Sequence, residues 1–526
     1  MNETKSRFWA GETSRRIEKR IVVEADLVLE TPAHFGAGDA DDLTDMPLLT
    51  SVDINGKSAP LLTGATLTGA LRAYLNHRQF GFRADVTGQK YALSELLFGA
   101  QKGDETDDGR QSALIIEDAF GVTETKIEMR ESVKLDSATR TADEGKLFDI
   151  QLWAAGTTFP VRFELLLMET PRQMAVKDYQ NKVKEAFLTA LDGLTDGSIT
   201  LGARKNRGLG RISLKNWRVK VYHLKNNAED LCAWLEAGST PLAKMQIPVL
   251  THPGDASIFQ KVPSRDAREW FEIDFTCRLD PHSSLLIRDS GSRENQVDMA
   301  HLRSAGRPAL SGTSLTGALR ARAQRILNLI YPHDPEAAQR RLDALFGSDL
   351  TRQEENGRKQ NENVEASRLI VEEYCIEEAV FDRVQNRVSI DRFTGGARDT
   401  ALFNEQPVFG KEETRIRMKW RLLKPALSIK KEASEEEREK AKKRHEREFE
   451  GQMGLLLLLL KDVWTADLPV GGEVGVGRGR FAGIRADIKL HGPEPQAWEI
   501  RDGKRPDNYH QLQQYVDALW PEEALV

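Results

Sequence analysis

One stretch of this chain occurs twice. Leu61–Leu75 reads LLTGATLTGALRAYL and Ala309–Ala323 reads ALSGTSLTGALRARA, with Leu-Thr-Gly-Ala-Leu-Arg identical in both at a separation of 248 residues. Leu97-Phe98-Gly99 and Leu345-Phe346-Gly347 keep that separation. It widens to 255 for LIIED at Leu114–Asp118 against LIVEE at Leu369–Glu373, for Val133–Asp136 against Val388–Asp391, and for Leu147-Phe148 against Leu402-Phe403. It reaches 269 where Gly208-Leu-Gly-Arg211 matches Gly477-Arg-Gly-Arg480. Ordered matches with a slowly growing offset mean two copies of one domain, and each copy of about 210 residues must close its own core. The expected layout is a first domain over 1–223, a connecting segment over 224–268, a second domain over 269–490 and a C-terminal extension over 491–526. Length alone, 526 residues at about 100–200 per domain, would equally allow three domains.

Both copies carry the same order of patterns. Alternating apolar residues (IVVEADLVLE; WFEIDFTCRL) predict a first strand. A polar loop follows, then LTGALR, where Leu67, Ala70, Leu71 and Tyr74, and Leu315, Ala318 and Leu319, fall at helical spacing. Further strand patterns (ALIIED, FPVRFELLL; RLIVEE, RIRMKWRLL), a second helix and a glycine-rich segment complete each copy. This order predicts an α+β class with a mainly antiparallel sheet. Glu432–Glu450 is charged and rich in helix formers, and predicts an exposed helix with opposite charges four residues apart.

Several function classes drop out. Cys232, Cys277 and Cys375 are isolated, which excludes a disulfide framework and speaks against structural zinc. The N-terminal stretch has no apolar core and the longest apolar run, Leu455–Leu460, is far below the roughly 20 residues that span a bilayer. A cytoplasmic protein without a membrane partner is expected. No GxxxxGK[ST] loop, HExxH or Ser/His/Asp order occurs. The net charge of −6 argues mildly against nucleic acid, but the sum hides its layout. Arg204–Lys220 holds seven basic residues and no acid, and His301–Arg325 holds five arginines and no acid, while acids gather in Asp39–Asp45 and Gly103–Gly109.

Thr63-Gly64-Ala65-Thr66 and Ser311-Gly312-Thr313-Ser314 precede the LTGALR helices. Small residues admit a close backbone, Thr66 or Ser314 can cap the helix, and Arg72 and Arg320 follow within two turns. Such a site suits a nucleic-acid phosphate; the alternative is a tight turn with close packing at Gly69 and Gly317. Gly202–Arg211 (GARKNRGLGR) and Gly471–Arg480 (GGEVGVGRGR) combine exposed backbone N–H groups with Arg204, Lys205, Arg207, Arg211, Arg478 and Arg480, which favours RNA or DNA contact over a plain hairpin turn. Asp39, Asp41, Asp42 and Asp45 crowd one loop, and Asp289 and Asp298 the corresponding loop of the second copy; they can hold hydrated magnesium or move a proton, or form a solvated loop. Asp136 and Asp391 read as turn residues. His34 and His282 fall near matching positions and are candidate general bases.

The S/T-G-x-S/T-L-x-G-x-L-R segment and LFG in both copies, Val388–Gly396 (VSIDRFTGG) before Leu402-Phe403, and the closing glycine-rich segment together resemble the RAMP superfamily of CRISPR-associated proteins. More closely, the chain resembles the backbone subunits of type III effector complexes, fused as two copies in the manner of type III-D systems. The resemblance covers about four-fifths of the chain. It implies two tandem RAMP domains, each a modified RRM-like (ferredoxin-like) fold with insertions and a thumb hairpin, at about Glu128–Phe148 and Arg383–Phe403. It implies guide (CRISPR) RNA, complementary target RNA and a large polymerase-like subunit as partners. RNA contacts are expected at Gly64, Thr66, Arg72, Arg204, Lys205, Arg207, Arg211, Gly312, Ser314, Arg320, Arg392, Arg478 and Arg480. The family's target-cleaving aspartate, which works with a divalent metal such as magnesium, maps to Asp45 in Asp45-Met-Pro-Leu and to Asp298 in Asp298-Met-Ala-His-Leu, where the proline is missing. The first copy has Ser137-Ala-Thr where the second has the Thr-Gly-Gly after its turn aspartate. Two rival readings follow: a scaffold that grips the guide while another subunit cuts, and a metal-independent guide-processing endoribonuclease using His34 or His282.

Overall fold

A computed structural model describes residues 17–521 except 39–43, 53–55, 87–88, 90–91, 100–110, 123–125, 136–141, 169–175, 260–265, 290–296, 349–363, 430–432, 502 and 505. In the first copy the principal elements are β1 (Ile17–Leu29), α1 (Gly64–Phe80), β2 (Leu114–Ile116), the hairpin β3 (Ile127–Leu135) and β4 (Ala142–Trp153), β5 (Thr158–Met168), α2 (Val176–Thr195) and β6 (Ile212–His223). The second copy repeats them as β7 (Trp270–Leu279), α3 (Gly312–Ile330), β8 (Leu369–Val371), the hairpin β9 (Gln385–Ile390) and β10 (Ala397–Gln406), β11 (Val408–Leu423), α4 (Glu435–Trp464) and β12 (Phe481–His491). The C-terminal extension adds β13 (Gln496–Arg501) and α5 (Tyr509–Asp517).

The sheets run β2-β5-β1-β6 and β8-β11-β7-β12-β13, antiparallel throughout. Leaving the hairpin aside, each copy is βαββαβ with the first and third strands in the centre, which is the ferredoxin-like arrangement. The period-2 pattern of β1 explains its central place. Ile21, Val23, Ala25, Leu27 and Leu29 enter the main core with α1 and α2, while Val22 on the other face joins Tyr222 and Leu242. That second face is covered by the connecting segment, whose Trp234, Met245 and Ile247 pack there. In the second copy β13 covers the edge of β12, and α5 lies so close to α4 that a Cβ on Gly454 would meet the Tyr515 carbonyl oxygen at 2.1 Å.

Several local expectations change. Helices α1 and α3 start one turn early: Thr63 accepts from the Thr66 N–H and Ser311 from the Thr313 N–H, so Thr63 and Ser311 are the caps, not Thr66 and Ser314. Gly69 and Gly317 have nothing within 4 Å of a built Cβ; the close approaches are at Gly64 and Gly312 instead. The charged run and the six leucines form one helix, α4, capped by a Ser434–Glu437 capping box; Leu455, Leu456, Leu459 and Leu460 are buried and the charged turns are mostly exposed.

Candidate nucleic-acid interface

The loop after the first strand leans on the hairpin in the same way in both copies. The Asp45 N–H donates to Asp149 Oδ1 at 2.8 Å and the Asp149 N–H returns a bond to Asp45 Oδ2 at 3.1 Å. The Asp298 N–H donates to Asn404 Oδ1 at 2.6 Å, and the Asn404 N–H returns one to Asp298 Oδ2 at 2.9 Å. Met46 then bridges to Ile150, and Met299 to Glu405. Asp149 and Asn404 stand 255 residues apart, the separation of the hairpin motifs. Asp45 and Asp298 are therefore equivalent, exposed carboxylates clamped at the base of each hairpin. That shared separation is the sequence signal of the pairing. The Asp45 N–H and the Thr44 hydroxyl, both donating to its Oδ1, hold the Asp149 carboxyl below its usual range. Asp39, Asp41, Asp42 and Asp136 lie outside the described residues.

Asp45, Thr66, His34, Gly202 and Ala203 line one cavity of about 350 Å³. Three separate sequence motifs thus meet at one place. The His34 Nδ1 lies 2.9 Å from the Gln151 carbonyl oxygen. His34 and His282 are not equivalent. The carbonyl that receives the Ala203 N–H belongs to His34, while the one that receives the Gly472 N–H belongs to Leu286. His282 is an exposed turn residue. A histidine at this site is a feature of the first copy. Asp289 sits in a short strand paired with Ala300.

The arginines divide by what they touch. Arg72 donates to the Phe98 and Gly99 carbonyls at 3.1 and 3.2 Å, and Arg320 to the Gly347 carbonyl at 2.8 Å and to Asp343 at 3.0 Å. This is why LTGALR and LFG recur together: the arginine of one closes the turn of the other. Arg211 pairs with Glu372 of the second copy at 2.7 Å. Arg478 is buried and pairs with Glu405, also buried, at 2.7 Å. Its counterpart Leu209 packs with Ile150 and Leu152, so an ion pair in one copy replaces an apolar contact in the other. Arg480 and Arg392 are exposed, Arg392 beside a turn in which Asp391 accepts from the Phe393 and Thr394 N–H groups. Phe393 at that tip is 96% exposed.

Gly202–Arg211 and Gly471–Arg480 share one backbone, with Arg204 and Glu473 in the left-handed region before a short 3-10 turn. The first loop carries four basic residues and no acid, the second two arginines and Glu473. Arg204 donates to Ser132 Oγ at 3.0 Å and lies 4.5 Å over the Phe148 ring, tying the loop to the hairpin. Lys205 is exposed. Arg207 is the unusual one. Burial, with Arg320 and Arg204 nearby, pushes its guanidinium down to about 10, and its Nη1 is buried without a hydrogen-bond partner. A desolvated cation among cations suits an anion arriving from outside, such as an RNA phosphate. Gly64 and Gly312 serve packing: a Cβ would meet the Ile116 oxygen at 2.2 Å and the Arg207 oxygen at 2.2 Å. Ser314 is half-buried in the first turn of α3.

Among the described residues no group of three or more His, Cys, Asp or Glu could hold a metal ion, and no helix is long and apolar enough to cross a membrane. No curated protein matches the chain. The RAMP superfamily profile matches residues 26–213 and 278–482, once in each copy and together well over half of the chain. The chain accordingly belongs to the RAMP superfamily of CRISPR-associated RNA-binding proteins and carries two tandem RAMP domains.

Proposed function

We propose that this chain is a fused double backbone subunit of a type III, type III-D-like, CRISPR ribonucleoprotein that binds guide RNA and cleaves complementary target RNA at up to two places. Its partners would be the guide, the target and other effector subunits, including a large polymerase-like one, in the cytoplasm. The observation that carries the reading is the pair of equivalent carboxylates, Asp45 and Asp298, each clamped by a reciprocal hydrogen-bond pair at the base of a hairpin. Arg207 and its neighbours supply a place for backbone phosphate.

The chemistry follows from RNA itself. The 2′-oxygen attacks the adjacent phosphorus, the 5′-oxygen of the next nucleotide leaves, and the products are a 2′,3′-cyclic phosphate and a 5′-hydroxyl; DNA lacks the attacking group. Asp45 or Asp298 would accept the hydroxyl proton or orient the hydroxyl. Each site offers few protein ligands, one or two carboxylates, which suits magnesium because it keeps most of its waters and takes the rest from phosphate. The metal would neutralise phosphate charge; the protein's part is alignment, where a 1 Å error costs about 100-fold. The hairpins, with Phe393 exposed at one tip, would splay the target so that this alignment is reached.

In a complex reconstituted with guide and target, Asp45→Ala should remove one cut and Asp298→Ala the other, with guide affinity unchanged within about twofold. Survival of both cuts in the double variant rejects the catalytic assignment and leaves the scaffold reading. Because His34 lines the Asp45 cavity, His34→Gln should also be assayed on guide precursor; metal-free cutting that this change abolishes would instead establish a processing enzyme.

A further inference from the structure

Where the two copies meet, their joint leaves a cavity of about 230 Å³. The second copy supplies its floor, with Arg368 just before β8 and Phe449 and Gln452 on α4. The first copy supplies Arg83, an exposed residue just past α1. Contacts across the joint deliver it: Phe82 bridges Pro425, the Ala426 N–H donates to the Phe82 carbonyl at 2.7 Å, and Arg83 Nη2 donates to the Ala366 carbonyl at 2.7 Å. Arg83 sits in the left-handed region, at φ 59°, which residues other than glycine hold only where their neighbours impose it.

The floor carries more donors than acceptors. Arg368 is 5% exposed and Gln452 4% exposed. The Arg368 guanidinium donates to the Ala344 carbonyl at 2.7 Å, to the Leu423 carbonyl at 3.4 Å and to Gln452 Oε1 at 2.9 Å. All three acceptors are neutral, and among the described residues neither Arg368 nor Arg83 has a carboxylate partner. Burial pushes the Arg368 guanidinium down to about 10. Because Arg368 occupies the Gln452 oxygen, the amide cannot be turned around, and its Nε2 is buried with no acceptor. An unpaired buried cation beside an unpaired amide nitrogen is completed by an oxyanion, which accepts from both and neutralises one.

The mouth of the cavity decides what carries that oxyanion. Glu365 and Glu448 line it and are exposed. A strand of RNA would lay its further phosphates against these carboxylates, whereas a ligand with one anionic head brings no second charge to them. The volume, somewhat below that of common ligand pockets, also suits a compact molecule.

We propose that this cavity binds a compact small molecule through one anionic head, a phosphate or a carboxylate, held by Arg368, Gln452 Nε2 and Arg83, so that the ligand bridges the two copies. The inference does not rest on the cleavage reading, and failure of the aspartate variants would leave it standing.

Thermal melts of the purified full chain test it, with sodium phosphate and sodium acetate titrated against sodium chloride at equal ionic strength. At least one of the two anions should raise the melting temperature in a saturable way that chloride does not, and the one with the lower half-saturation concentration names the head group. Gln452→Glu supplies the floor with a carboxylate of its own; it should melt no lower than the wild type and raise the half-saturation concentration by about tenfold or more. Arg83→Asn keeps a residue that tolerates the left-handed region and guards against misfolding of the first variant; it should weaken the response by about threefold or more at an unchanged melting temperature in chloride. Neither change should move guide-RNA affinity by more than about twofold. The absence of any response beyond chloride overturns the proposal. So does a response that the folded variants retain, which would place the anion elsewhere, Arg207 included. Guide binding lost in step with the anion response would make RNA the occupant and overturn it as well.

Discussion

Arg207, half-buried, and His301, buried, are two bases held in opposite ways. Arg207 keeps a desolvated charge with one nitrogen unpartnered, so the free protein gains nothing from it. Arg207→Met should leave thermal stability unchanged or raise it by about 1 kcal/mol, while weakening RNA binding and flattening its salt dependence. A melting curve and a filter-binding titration on the same preparation read both signs. His301 is satisfied as a neutral ring: its Nδ1 accepts from the Ile287 N–H at 3.1 Å and its Nε2 lies 3.0 Å from the Ala309 carbonyl oxygen. Burial pushes its pKa from 6.5 down to about 4. The unfolded chain therefore takes up a proton as pH falls through 6.5, whereas the folded chain does so only near 4. Stability from this group is intact above 6.5 and declines across that window, by roughly 3 kcal/mol at most. Denaturant unfolding between pH 7 and 4.5 should show the decline, and His301→Gln should flatten it.

At the scale of elements, the start of α1 and its middle carry glycine for different reasons. Gly64 has no room for a side chain, and Gly64→Ala should cost about 1–3 kcal/mol through overpacking. Gly69, an exposed helix position with open space above it, should accept alanine with a gain of about 0.5–1 kcal/mol, as should Gly317 in α3. Thermal melts of the three variants separate the two kinds. If RNA runs over these helices, Gly69→Ala will weaken guide binding even as it stabilises the fold. The glycine pattern was visible in the sequence; which glycine is sterically required was not, because the obstruction comes from a carbonyl more than 50 residues away.

For the whole molecule, the joint decides how the two cores behave. Arg130 is nearly fully buried, and both its pairing with Glu373 and that of Arg211 with Glu372 cross between copies. Arg130→Ala leaves Glu373 buried without its cation and should cost about 3–5 kcal/mol. It should also turn a single calorimetric transition into two, as each copy unfolds on its own core. A variant that keeps one transition and its midpoint would show that the joint contributes little.

The sequence by itself determined the duplication, the α+β class and the mainly antiparallel sheet, which follow from local periodicity and from motif order, features a linear string preserves. The ferredoxin-like arrangement and the matching of Asp45 with Asp298 came from the resemblance of those motifs to a known family. Tertiary structure alone decided the fate of the charges. LTGALR looks like a phosphate site, yet its arginine holds the LFG turn; Arg478 looks like an RNA contact, yet it neutralises Glu405 where the other copy has Leu209 against Ile150. His34 and His282 look paired but are not. A guanidinium binds whatever acceptor folding brings within about 3 Å, and desolvation then sets whether its charge is spent inside the protein or left for a ligand. Neither the partner nor the burial is written at the residue's own position.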